Sequence, residues 1–178
     1  QDTGDRYVIG DSGAVIAIPA TLQDSLMARL DRLAAIKEIP QIAAALGREF
    51  YYRLLAAVAH VSEVVLGNAL EQLSEAELIF ARGEPPDSAY TFKHALVQEA
   101  AYESLLRSRR QQLHARIAEA LKEQFSETVE TQPELMAHHL ARAGMTEPAI
   151  DYLRKAGRRA IQRSATAEAV GRVGRALE

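Results

Sequence analysis

One change of hydrophobic period restricts the fold more than any other feature of this sequence. From Leu22 to Leu73 apolar residues recur three or four apart, the spacing that lines one face of a helix. Across Leu78-Ile79-Phe80-Ala81-Arg82 the pattern becomes strand-like, and a loop-forming run, Gly83-Glu84-Pro85-Pro86-Asp87-Ser88, follows. Ala89-Tyr90-Thr91-Phe92-Lys93 then alternates, and helical spacing returns at His94. The two short runs are expected to pair antiparallel, with Pro85 and Pro86 in the exposed loop, because proline cannot donate to a ladder. Helices followed by a two-stranded hairpin make the chain order of a winged helix. The fold class expected is therefore mainly α, with a β-hairpin wing.

The helices can be placed from their caps and stops. Arg6–Ile9 and Ala14–Ile18 around Gly10-Asp11-Ser12-Gly13 predict a short N-terminal hairpin, and Thr21 is a candidate N-cap for a helix carrying Leu22, Leu26, Leu30 and Leu33. A second helix is predicted over 35–46, kinked or started late by Pro40 and stopped by Gly47. Further helices are predicted over 51–59, 63–74, 94–107, 108–125 and 133–144, then over 147–163 and 166–178. In the last two, Leu153, Ala156, Gly157 and Ala160 precede Ala169, Val173 and Ala176, a large-then-small spacing like that of a tetratricopeptide helix pair.

Composition excludes several functions. The 178 residues include no cysteine, so there is no disulfide, cysteine nucleophile or thiolate metal site. The balance of 21 basic against 24 acidic residues argues against a dedicated nucleic-acid binder. The 63–74 helix, which would enter a DNA groove in a winged-helix regulator, carries no Lys or Arg and so gains nothing from counterion release. No apolar run approaches the roughly 20 residues of a membrane span. Ser25, Ser104 and Ser108 lack the context of an activated nucleophile. Glu75 and Glu77 read as a solvated turn. The start at Gln1 and the end inside a helical pattern are taken as marks of a segment from a longer protein.

Histidines and arginines are the remaining candidates. His138-His139 suggests a metal, but adjacent helical residues point about 100° apart and His114 is distant in sequence, so no metal site is expected: one ring should be buried and the other exposed. Arg107, Arg109 and Arg110, with Lys93 not far back in sequence, are either a phosphate or nucleic-acid contact or a solvated helix junction with Glu103 and Glu119 nearby. Arg154, Lys155, Arg158, Arg159 and Arg163 make a basic helix face, either solvated or a groove for an acidic partner segment. His94 stands where a strand feeds a helix. There it is either an ordinary helix-start residue or a phosphate ligand, since imidazole can donate to phosphate and the first helical turn adds positive potential.

Two strings carry a family resemblance: Ile18-Pro19-Ala20-Thr21-Leu22 with Ala28-Arg29-Leu30-Asp31-Arg32-Leu33, and Tyr90-Thr91-Phe92-Lys93-His94-Ala95-Leu96-Val97-Gln98-Glu99-Ala100-Ala101-Tyr102. Both resemble the C-terminal half of STAND-class signalling ATPases, in particular bacterial chains in which a class III adenylate/guanylate cyclase precedes the ATPase. The resemblance implies an N-terminal hairpin and helical lid over 1–60, a winged-helix region over 61–126 and the start of tetratricopeptide-like repeats over 127–178. It implies a cytoplasmic parent chain whose upstream nucleotide-binding domain holds ATP or ADP and Mg. Protein or small-molecule effectors would act on the repeats. No phosphate-loop motif G-x-x-x-x-G-K-[ST] occurs here, so no catalytic residue, cofactor or enzyme activity is expected in this segment itself. In related switch ATPases a Met-His-Asp motif ends the winged helix, and its histidine reaches the β-phosphate of ADP. His94 takes that position by resemblance, and the motif's aspartate is Ala95. The alternative from another class is a winged-helix DNA-binding transcription regulator with a helical sensor tail.

Overall fold

The computed structural model describes residue 28 and residues 36–176, with side chains through residue 164. The predicted N-terminal hairpin and the Leu22–Leu33 helix lie outside the described residues. The described chain is mainly helical, with eight helices and one small antiparallel sheet.

Helix α1 spans Glu38–Leu46 and buries Ile39 and Ile42. Pro40 lies in its first turn, where a missing N–H breaks no helical bond, so the proline gives a late start and no kink. Gly47 ends the helix at φ 136°, and its N–H donates to the Ala43 carbonyl at 3.2 Å. Strand β1, Glu49–Tyr51, was not expected; it turns Phe50 inward and leads straight into α2, Tyr52–Ala59. His60 closes α2 in the left-handed conformation, and Ser62 caps α3, Glu63–Glu75, by accepting from the Val65 N–H at 3.4 Å. Leu66, Ala69, Leu70 and Leu73 form the buried face of α3.

Strands β2, Ile79–Arg82, and β3, Ala89–Phe92, pair antiparallel as predicted, with Ile79 opposite Phe92. Pro85 and Pro86 are exposed. β1 adds to the other side of β3, giving the order β1-β3-β2. Phe50, Tyr90 and Phe92 fill the inner face, with the Phe50 ring stacked on Tyr90 at 5.6 Å and tilted against Phe92 at 5.5 Å.

The predicted 94–107 helix is shorter: α4 spans Ala95–Glu103, and α5 runs from Arg107 to Gln124. A short α6, Ser126–Thr131, precedes α7, Pro133–Arg142, which opens on proline at its first position. Two separate helices over 147–163 and 166–178 do not form. α8 is one helix from Thr146 to Ala176. Ser164-Ala165-Thr166-Ala167 contains neither glycine nor proline, so nothing stops a helix there. α5 runs through the centre, burying Leu113, Ile117 and Leu121 against α1, α2 and α7. The buried apolar residues from Ile39 to Ala149 form one continuous core.

Candidate functional site

His94 is the N-cap of α4, in extended conformation at φ −128° and ψ 137°, immediately behind the central strand β3. It is held from both sides. Lys93 N–H donates to the Leu78 carbonyl at 2.9 Å, and Val97 N–H to the His94 carbonyl at 3.1 Å. Its side chain makes no capping hydrogen bond and the residue is exposed, as is Ala95. The imidazole therefore stands beside a helix N-terminus, on a backbone fixed by the sheet and facing outward.

Most of the other basic candidates are engaged. Lys93 pairs with Glu77 at 3.2 Å and lies over the Phe80 ring. Arg109 pairs with Glu38 at 2.8 Å. Arg110 donates to the Leu105 and Glu103 carbonyls and covers the Tyr102 ring at 4.8 Å. This cluster therefore knots a helix junction together. Arg159 and Arg163 donate to the Glu130 and Thr131 carbonyls at the end of α6. Together with Lys122, Lys155 and Arg158, Arg159 lines a groove of about 590 Å³ between α6 and α8.

The histidines make a second constellation that the sequence did not predict. His139 is buried and His138 exposed, as expected. His114, set aside as too distant in sequence, is also buried and faces them, because α5 packs on α7. Nδ1 of His114 lies 2.9 Å from Nδ1 of His139, and Nε2 of His114 lies 2.9 Å from the Tyr102 hydroxyl. His139 Nε2 is buried with no hydrogen-bond partner. The three rings lie within 5.8 Å of one another, centre to centre.

Burial, then the neighbouring His138 and Arg142, pushes His114 down to about 4. Burial, then His114 and His138, pushes His139 down to about 3. His138 is exposed as a residue, yet its ring faces the other two, so desolvation and Arg142 lower its pKa as well. All three are neutral imidazoles at neutral pH. His114 and His138 line a cavity of about 540 Å³ together with Ala95, Glu99, Glu103 and Arg142. Ala95, the residue after His94, is part of its wall.

No protein-family model matches the chain. An uncharacterized protein of Rhizobium meliloti (strain 1021) is 31% identical over 151 residues. The match covers 84% of this chain and 15% of that protein, so the chain spans only a small part of the curated relative's length.

Proposed function

We propose that this chain is the regulatory segment of a multidomain STAND-class nucleotide-switch ATPase, relaying nucleotide state and partner binding between an upstream nucleotide-binding domain and helical repeats. The placement of His94 carries this reading. It is an exposed imidazole on a sheet-anchored backbone beside a helix N-terminus, which is the setting a β-phosphate sensor needs. The order α1-β1-α2-α3-β2-β3, with the sheet order β1-β3-β2, supports a winged helix whose wing is the β2–β3 hairpin. A match to only 15% of a longer protein agrees with a segment that works inside a larger chain.

In this reading ATP or ADP and Mg belong to the parent chain, which would be cytoplasmic. A class III adenylate or guanylate cyclase is the output domain that the resemblance suggests. The α7–α8 pair would begin the tetratricopeptide-like array. The cationic groove between α6 and α8 suits an acidic effector segment. α3 has no cation and exposes Val64 and Val65, which fits a protein-facing surface better than a DNA groove.

The test is ADP retention by the full-length protein. A hydrogen bond to a charged phosphate is worth about 1.5–3 kcal/mol, or roughly ten- to a hundredfold in affinity. With Ala95 unable to brace the imidazole, His94→Ala should weaken ADP binding by about tenfold, the lower end of that range. Equal ADP affinity in two folded proteins would reduce His94 to a helix-start residue and remove the sensor assignment.

A further inference from the structure

We propose that His114, His138 and His139 form a binding site for a divalent transition ion of the zinc type, with three imidazole ligands and a fourth position open to the adjoining cavity. The site stands apart from the nucleotide switch and does not depend on it. The protein has five histidines and no cysteine, and three of the five converge from two helices. One nitrogen from each lies within 4.8 Å of the others. Tetrahedral coordination at about 2.0–2.1 Å asks for nitrogens about 3.3 Å apart. His114 Nδ1 and His139 Nδ1, at 2.9 Å, are already near that spacing. The remaining movement falls on His138, which is exposed and has room for it.

The hydrogen bonding around the rings suits an ion. Two neutral imidazoles that face each other through Nδ1 share a single proton, and an ion placed there takes both Nδ1 lone pairs once the ring that held this proton carries it on its own Nε2 instead. The Tyr102 hydroxyl on His114 Nε2 can then accept the remaining N–H, the outer-shell contact that fixes tautomer and ring angle in histidine–metal sites. Burial already keeps His114 and His139 unprotonated, so binding need not first strip charge from the ligands. By contrast His139 Nε2 is enclosed without a partner, and with Nδ1 on the ion this nitrogen carries the ring's N–H without the outer-shell acceptor that Tyr102 gives His114.

Ligand chemistry sets the class of ion. Neutral imidazole suits zinc, nickel and copper, whereas magnesium and calcium need oxygen donors. The Arg142 charge beside the rings further opposes an ion held by electrostatics alone. Water, or Glu99 or Glu103 on the cavity wall, is available for the fourth position.

The experiment is titration of the 178-residue chain, made without a histidine tag and stripped with chelator, against Zn2+ in competition with a chromophoric chelator. Co2+ serves as a spectroscopic substitute. Expected are one ion per chain and the intense visible absorption of tetrahedral Co2+. Removing even an outer-shell partner costs about 10–100-fold in metal affinity, so His138→Ala should weaken binding at least about tenfold. That variant changes an exposed residue and should fold, which circular dichroism checks. A His60→Asn variant, which removes a histidine outside the trio at a position in the left-handed conformation that asparagine tolerates, should bind as the unaltered chain does. No saturable binding, unchanged affinity in His138→Ala, or an equal loss in His60→Asn would each overturn the site and leave the trio as a neutral histidine core.

Discussion

His114 and His139 place two ionisable rings inside an apolar core, and this ties stability to pH. An unfolded histidine titrates near 6.5, whereas in the folded chain these two are held down to about 4 and about 3. Between those values the unfolded chain binds more protons than the folded one, so stability rises with pH. The contribution is fully present above about pH 6.5 and is lost as pH falls toward 4. Each ring contributes a slope of about 1.4 kcal/mol per pH unit, so the pair gives nearly 3. Urea unfolding with chelator present should show a shallow dependence from pH 7 to 6 and approach that slope between pH 6 and 5, and His139→Leu should halve it. A flat profile from pH 7 to 5 would mean that the two rings are solvated. One buried ring of the 138–139 pair was expected from the sequence, and the burial of His114 was not read. Helical spacing carries both: His114 lies on the stripe of Ile117, Ala118 and Leu121, and His139 on that of Met136. What could not be read was which two stripes meet, because nothing local records that α5 packs on α7.

Among the elements, the legible ones announce themselves over several residues. The β2–β3 hairpin was readable from alternation on both sides of a glycine- and proline-containing loop, and α3 from its buried leucines with Ser62 ahead of them. β1 was not, since three residues with one inward side chain carry no period. Nor was α6, whose six residues bury nothing. The break expected in α8 followed repeat spacing, and helix propensity through Ser164–Ala167 prevailed over it. Gly47 is the joint between α1 and β1. Its φ of 136° and ψ of −169° belong to a region reserved for glycine. A Cβ there would meet only ordinary contact, with the Glu49 carbonyl at 3.7 Å, so the penalty is torsional. Gly47→Ala should cost about 1–3 kcal/mol in urea denaturation. A loss below about 0.5 kcal/mol would show that the joint relaxes easily.

For the whole molecule, the continuous core from Ile39 to Ala149 means that the sheet and the α7–α8 pair should melt together. Ile117, fully buried at the centre of α5, reports on that unity. Ile117→Ala should destabilise the chain by about 2–5 kcal/mol, with fluorescence and circular dichroism transitions still coincident. Separate transitions would mean that the winged-helix region and the helical hairpin fold independently. Through residue 164, as far as side chains are described, the last buried apolar side chain is Ala149, yet α8 continues to Ala176. At 1.5 Å per residue its 31 residues make a rod of about 46 Å. Such a rod is a lever with its fulcrum at α7, tied to α6 along the way by Arg159 and Arg163. A tilt of about 5° at Thr146, shared by those two contacts, sweeps the far end through about 4 Å, roughly three-quarters of a helical turn. A change too small to disturb the core thus becomes, at the other end of one helix, a displacement large enough to change which side chains meet.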